Sequence, residues 1–313
     1  MKCITFKQPK TSRSFITWGV FDGVHRGHQK IINELIRQGR RHKSASSILT
    51  FQTHPDKVLG KPHPLDITSL RHRVRIFKHL GVDAVLVYPF TNHFSRITPE
   101  DFIKNLLIKQ LKTKGIIVSP DTKFGRDRTG TISLLHRLCK KYHLSLTIVP
   151  PLKYRGRVVS STRIRKSIQA GKLNQASAML GRTVSILGTV VKGSGRGRKL
   201  GFPTANLKPT HELTPPHGVY AGQIQLKGRT YHTLTNIGQR PTFNRSTQTE
   251  PTVETYILGL KNIRKTDLYG QELEVQLFFT LRHERKFNSE DKLIRQIKRD
   301  ETYLRKRIRS IKK

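Results

Sequence analysis

The sequence predicts an α/β protein in two parts: a Rossmann-like parallel sheet covered by helices in front, and an antiparallel β-barrel with a terminal helix behind. Three observations predict it. The chain has 313 residues, a length that favours two domains. Its front half alternates strand-like and helix-like stretches, the pattern of βαβ units. From Val184 onward, strands follow one another with Gly and Pro turns and no helices between them. The join is expected near Leu180-Gly181, giving domains at 1–180 and 181–313.

In the front half, Phe15 to Trp18 reads as a strand running into a Gly-rich turn. A helix follows from about Gly27, with Ile31, Ile32, Leu35 and Ile36 on one face. Strands are expected at Ser47–Phe51, Val82–Tyr88, Gly115–Val118 and Leu144–Val149. Leu70, Val74 and Phe77 recur at helical spacing, and Gly81 supplies a stop. Thr98 is an N-cap before Pro99, and Ser133 to Tyr142 is a further helix. Behind the join, five strands are read at 184–192, 218–226, 230–236, 253–258 and 273–281. The last helix starts at Asn288 or Ser289, with Leu293, Ile297, Leu304 and Ile308 inward.

Composition excludes several classes. No apolar run is long enough to cross a bilayer, and the first residues lack a continuous apolar stretch, so neither a membrane span nor a secretory signal is expected. The two cysteines, Cys3 and Cys139, form no metal or redox motif, which fits a reducing, cytoplasmic compartment. Lys and Arg number 60 against 20 Asp and Glu, a formal charge of +40. That balance suits polyanions. Yet the charge is spread along the chain, with no basic tail, zinc-finger spacing or heptad zipper. No specific nucleic-acid partner is therefore expected. The sequence leaves the oligomeric state open.

The segment Gly19-Val20-Phe21-Asp22-Gly23-Val24-His25-Arg26-Gly27-His28 follows a strand and opens a helix. A helix N-terminus offers unpaired N–H groups and partial positive charge to a phosphate. Gly23 and Gly27 permit close backbone approach, and His25 and His28 are spaced to share one ligand. Two imidazoles there can stabilise an α-phosphate during adenylyl transfer. A zinc pair is the alternative, but no third and fourth ligands cluster nearby. Ser160-Ser161-Thr162-Arg163-Ile164-Arg165 also opens a helix; its hydroxyls can cap that helix, or join the arginines in a triphosphate clamp.

Behind the join, Gly193, Gly195 and Gly197 form a flexible loop able to cradle phosphates, without a Walker A ending. Thr204 and Asn206, two apart on extended chain, share a face and offer neutral oxygens to Mg²⁺ held with ATP. Glu254, a carboxylate within a strand-like run, is a candidate base for a kinase, or alternatively an arginine partner.

Together these segments resemble the bifunctional bacterial riboflavin kinase/FAD synthetase family. The matching pieces are GVFDGVHRGHQ (19–29), FQTHP (51–55), GVDAVLVYPF (81–90), SSTRIR (160–165), GRGRKLGFPTANL (195–207), PHGVYAG (216–222), NIGQRPTF (236–243), DLYG (267–270) and KFNSEDKLIRQIKRD (286–300), in the family's order. The resemblance implies an N-terminal HxGH nucleotidyltransferase domain acting as FMN adenylyltransferase, and a six-stranded flavokinase barrel. It implies ATP, riboflavin and FMN as substrates, Mg²⁺ as metal and FAD as product. By the same resemblance, His25 and His28 are catalytic in adenylyl transfer. Gly19, Phe21, Gly23, Gly27, Ser161, Thr162, Arg163, Arg165, Gly195 and Gly197 bind ATP. Thr204 and Asn206 hold the metal, Glu254 is the kinase base, and Asp121, Phe124, Arg240, Pro241 and Thr242 lie near flavin.

The chain departs from the family pattern in places. Ser119 and Thr122 stand where Gly and an aromatic are usual, Thr53 where Pro is usual, Tyr256 for His and Gly259 for Asp. The loop at 119–125 is expected to touch flavin in the adenylyltransferase. A monofunctional riboflavin kinase with a weakened front domain is therefore the alternative reading.

Overall fold

The computed structural model describes residues 2–6, 13–210, 213–239, 251–260 and 268–311. The chain folds as two compact units, Met1–Ser161 and Thr162–Lys313.

The first unit is built on a six-stranded sheet in the order β1-β4-β3-β2-β5-β6. These strands are β1 (Lys2–Thr5), β2 (Ser14–Trp18), β3 (Ala45–Phe51), β4 (Ala84–Tyr88), β5 (Thr113–Val118) and β6 (Ser145–Ile148). β2 to β6 pair in parallel, as expected; β1 is an antiparallel edge strand against β4 that the sequence reading missed. Burial on both faces explains the near-continuous apolar runs of the central strands. Ile16 and Trp18 enter one core with Phe102, Leu107 and Leu135, whereas Phe15 enters the other with Ile32, Leu35 and Phe77.

Helix α1 (Arg26–Arg41) buries Ile31, Ile32, Leu35 and Ile36, the stripe its sequence predicts. The short α2 (Pro55–Val58) leads to α3 (Leu70–Leu80), which ends on Gly81 at φ 88°, a left-handed cap. After α4 (Asn92–Ser95) comes α5 (Pro99–Asp101), where Thr98 Oγ1 accepts the Asp101 N–H at 3.1 Å. It continues as π-helical turns through Phe102–Gln110, and α6 (Ile132–Lys141) covers the same face. A two-residue hairpin, β7 (Lys153–Tyr154) and β8 (Arg157–Val158), closes the unit.

The second unit begins with α7 (Ser161–Gln169) and α8 (Leu173–Leu180). The two units divide at 161/162, and α8 packs on two strands of the barrel. The barrel is closed, in the order β10-β13-β12-β11-β14-β9. Its strands are β9 (Val184–Val191), β10 (Thr204–Pro209), β11 (Gly218–Leu226), β12 (Arg229–Gln239), β13 (Pro251–Ile257) and β14 (Glu272–Arg282), with α9 (Arg196–Lys199) before β10. Five strands match those read from the sequence; β10 completes the ring. Val253, Thr255 and Ile257 alternate with half-buried Glu254 and Tyr256, so the first three line the interior. Helix α10 (Glu290–Ile311) covers part of the outside by setting Leu304 against Ala221, Leu234 and Leu258. Leu293 and Ile297 are half-buried, and the Ile308 side chain lies outside the described residues.

Gly115 shows how tightly the front sheet is packed: a Cβ there would enter the ring of Phe15 on the adjacent strand. Gly115→Ala is expected to cost about 1–3 kcal/mol by overpacking. The measurement is the urea midpoint, which should fall with little change in slope. An unchanged midpoint would mean the strands part freely.

Candidate functional site

β2 and β5 lie side by side, but the chain leaves them in opposite directions, toward β3 and toward β6. Open α/β sheets bind ligands at such a switch point, beyond the carboxyl ends of the strands. The two loops that leave there are 19–25 and 119–125, both singled out in the sequence.

The first loop is strained and clamped. Gly19 N–H still bonds the Leu49 carbonyl at 3.0 Å, and then the sheet pairing ends. Phe21 and Val24 take φ 54° and 38°, left-handed values that cost non-glycine residues about 1–3 kcal/mol each. Thr68, just ahead of α3, holds them in place. Its Oγ1 accepts the Gly23 N–H at 2.9 Å, and its own N–H donates to Asp22 Oδ1 at 3.1 Å. Ser161 Oγ donates to the Asp22 carbonyl at 2.8 Å, and Gln29 Nε2 donates to the Val24 carbonyl at 2.9 Å. Asp22 is buried at 5% exposure.

The histidines meet. His25 caps α1, its Nδ1 accepting the His28 N–H at 3.3 Å. That bond leaves Nε2 as the protonated nitrogen of a neutral His25 ring. The His28 ring stacks on it, with centroids 3.6 Å apart and planes 17° from parallel, and Phe21 meets His28 edge-on at 5.2 Å. Burial, reinforced by His25 and then Arg73, holds the His28 pKa well below its ordinary value. His28 is therefore neutral near pH 7, and its buried Nδ1 has no hydrogen-bond partner among the described residues. A neutral imidazole is a hydrogen-bond donor that does not first lose a proton. Beneath it, buried Arg73 donates to the Thr68 carbonyl at 3.3 Å and lies 3.8 Å from Asp66.

Gly27 sits in the first turn of α1 against the His25 ring. Ser161 reaches the turn directly, through its bond to Asp22; Thr162, Arg163 and Arg165 follow in the opening turns of α7.

In the second loop Phe124 is 5% exposed, edge-on to Trp18 and tilted against Phe102, so it anchors the loop in the core. Asp121 is exposed, and its carboxylate accepts the Ser119 hydroxyl at 2.5 Å. Ser119 also lies 3.1 Å from the Thr122 hydroxyl. The two residues that depart from the family pattern thus close a polar turn on themselves.

The barrel brings a second set together. In the β10–β13 register Asn206 stands opposite Glu254 and Thr204 opposite Tyr256. Directly paired residues project to one face, about 5 Å apart at Cβ. Thr204, Asn206 and Glu254 are half-buried on the outer face. The glycine loop folds onto them: a Cβ on Gly193 would collide with the Asn206 amide, and one on Gly197 would crowd Thr204. Gly195 takes φ 76° at the open tip. Beside Thr204 lies a cavity of about 360 Å³, lined in part by Pro203, Tyr256, Leu268, Tyr269 and Arg305. Tyr256 meets Phe202 edge-on at 5.5 Å, which accounts for an aromatic at this position. Gly259 takes φ 73°, a conformation suited to glycine. Arg240, Pro241 and Thr242 lie outside the described residues.

Among the described residues no group of three or more His, Cys, Asp or Glu side chains is placed to hold a metal ion. The Thr204–Asn206 pair suits a different case. Mg²⁺ keeps most of its shell as water and phosphate oxygen and takes few protein ligands. Two neutral oxygens beside a phosphate-sized loop fit that demand.

Both parts of the chain match known families. The FAD synthetase family matches residues 7–163, and the riboflavin kinase family matches residues 180–308. A bifunctional riboflavin kinase/FMN adenylyltransferase of Buchnera aphidicola (Acyrthosiphon pisum) is 34% identical, over 92% of this chain and 91% of its own. Those of Escherichia coli K12 and Bacillus subtilis are 34% and 32% identical, over 91% and 92% of this chain and 90% of their own. The chain belongs to the bifunctional riboflavin kinase/FMN adenylyltransferase family. Because both family parts match, the bifunctional reading is favoured over a kinase alone. A crystal structure of a macrolide-efflux protein from Streptococcus pneumoniae is also similar, with TM-score 0.81 and 30% identity over 95% of each chain. Among the described residues of this family member, no helix is long and apolar enough to cross a membrane.

Thr68 and Asp22 were not read as site residues. Thr68 lies 45 residues from the glycine it holds, and nothing in its local spacing signals that contact.

The depressed His28 pKa has a definite consequence for stability. The unfolded chain takes up a proton at this position near pH 6.5, and the folded chain does not until well below that. The side chain therefore stabilises above pH 6.5, and its contribution is lost as pH falls. His28→Asn should flatten the drop in melting temperature between pH 6.5 and 5. An unchanged slope would show that His28 titrates normally.

Proposed function

We infer that this chain makes FAD from riboflavin in two ATP-dependent steps, with adenylyl transfer assigned to 1–180 and the kinase to 181–313. The observation that carries the kinase assignment is the register that sets Glu254 across from Asn206, beneath the glycine loop.

In the kinase step, Glu254 accepts the proton of the riboflavin 5′-hydroxyl as its oxygen attacks the γ-phosphorus of ATP. The bond from that phosphorus to the bridging oxygen breaks, and ADP leaves with the electron pair. Backbone amides around Gly193 to Gly197 hold the phosphates, and the 360 Å³ cavity beside Thr204 has room for part of a bound substrate. Thr204 and Asn206 would hold Mg²⁺, which when bound neutralises charge between the β- and γ-phosphates.

In the adenylyl step, a phosphate oxygen of FMN attacks the α-phosphorus of a second ATP, and pyrophosphate leaves. The start of α1 supplies N–H groups, and His25 and His28 donate hydrogen bonds as charge builds on the α-phosphate. Gly19, Phe21, Gly23 and Gly27 shape that pocket with Ser161, and the family resemblance assigns Thr162, Arg163 and Arg165 to ATP as well. The family resemblance assigns Asp121 and Phe124 to the flavin of the adenylyl step, and Arg240, Pro241 and Thr242 to the flavin of the kinase. No specific nucleic acid is assigned as a partner. The two free cysteines fit a cytoplasmic enzyme.

Chromatography of one reaction with riboflavin, ATP and Mg²⁺ tests the scheme; FMN followed by FAD is expected, and FMN alone would leave only the kinase. Glu254→Gln should lower FMN formation by about 10²–10⁴-fold while supplied FMN still becomes FAD. His28→Ala should reverse the pattern. Loss of both activities in either folded variant would overturn this division of labour.

A further inference from the structure

The row of side chains that contains Asn206 and Glu254 does not end at Glu254. In the β12–β13 register Asn236 stands opposite Glu254 from the other side. Three neighbouring strands therefore present Asn206, Glu254 and Asn236 in line on one outer face. Asn236 lies between fully buried Thr235 and Ile237 but is itself half-buried. Its carboxamide makes no side-chain hydrogen bond among the described residues, and neither does the Glu254 carboxylate.

The two asparagines are not equivalent. Asn206 packs under Gly193 on the loop side, where phosphates are held. Asn236 is on the opposite flank, on the strand that runs into the segment starting at Arg240. We propose that Asn236 is the acceptor-side binding residue of the kinase, its amide N–H donating to the 5′-oxygen of riboflavin. This rests on the reading of Glu254 as base.

The chemistry requires such a group. A hydroxyl oxygen has one hydrogen and two lone pairs. Glu254 takes the hydrogen. One lone pair must face the γ-phosphorus, and a donor on the second fixes the rotation of the C–O bond so that both conditions hold together. When the new P–O bond forms, the proton stays on Glu254, ADP carries away the electron pair, and the amide keeps its own hydrogens. A carboxamide can do this beside a carboxylate without competing for the proton. An arginine or lysine in its place would form an ion pair with Glu254 and withdraw it.

The test uses the full chain and kinetic constants of FMN formation, with 5′-deoxyriboflavin as a competitive probe that lacks the contacted oxygen. Asn236→Ala should raise the riboflavin KM about tenfold, the loss of one hydrogen bond. The inhibition constant of 5′-deoxyriboflavin and the KM for MgATP should stay unchanged. Asn236→Ser, which is too short to reach, should behave the same if the alanine variant folds poorly, and an unchanged thermal melting transition of the barrel checks the fold. An unchanged riboflavin KM would overturn the proposal. So would a parallel rise in the riboflavin KM and the 5′-deoxyriboflavin constant, which would mark a distorted pocket and no specific contact. Glu254→Gln is measured alongside. If it keeps full turnover, the base assignment fails, and that result is read independently of either Asn236 outcome.

Discussion

The kinase face depends on one constraint, the pairing register of β13 between β10 and β12. Side chains alternate along a strand with a period of two, so a slip of one residue would turn Glu254 inward and set Thr255 outside. The register is secured from within. Thr255 is fully buried, and its hydroxyl lies 3.3 Å from that of Thr235 on the next strand. Val253 and Ile257 fill the interior on either side of it. An uncompensated carboxylate inside a barrel is expensive enough to exclude the slipped register. The same packing that closes the barrel therefore aims Glu254 outward at Asn206.

The front unit solves a related problem by another route. A phosphate site at the end of a strand needs backbone N–H groups freed from the sheet and aimed at one point, and that geometry puts Phe21 and Val24 in costly conformations. Local sequence does not favour such a turn. It is held by Thr68 from a distant segment, which makes two reciprocal bonds to Asp22 and Gly23. The histidine pair is then positioned by α1 itself, since His25 spends one nitrogen on capping the helix. The cap decides which nitrogen of a neutral His25 ring remains to donate.

Both folds were legible because their periodicities are local. The stripe Ile31, Ile32, Leu35 and Ile36 predicts the buried face of α1, and alternation predicts five of the six barrel strands. What stayed hidden depends on partners far away in the chain. β10 starts at Thr204, right after Pro203 and a glycine-rich stretch, so it reads as loop until its partners β9 and β13 are known. β1 is short, and among the described strands it pairs with β4 alone. The packing of Phe124 depends on distance in the same way, since only the positions of Trp18 and Phe102 show that its ring lies in the core. The helices at 161–180 follow the front half in sequence, yet α8 packs beside β9 and β14 of the barrel.

The chain's charge sharpens the case for Glu254. With 60 Lys and Arg against 20 Asp and Glu, a carboxylate on the surface has many cations within reach. Several acids do pair: Glu34 with Arg37, Glu100 with Lys141, Asp300 with Arg282 and Glu301 with Arg305. Glu254 does not, among the described residues. Its cross-strand neighbours are two uncharged amides, one on each side. A guanidinium next to a carboxylate stabilises its charged form and makes it a poorer proton acceptor. Neutral flanks keep hydrogen-bonding groups close without that loss. In so basic a chain, neutral residues at both positions favour the proposed role of Glu254 in proton transfer over a role in an ion pair.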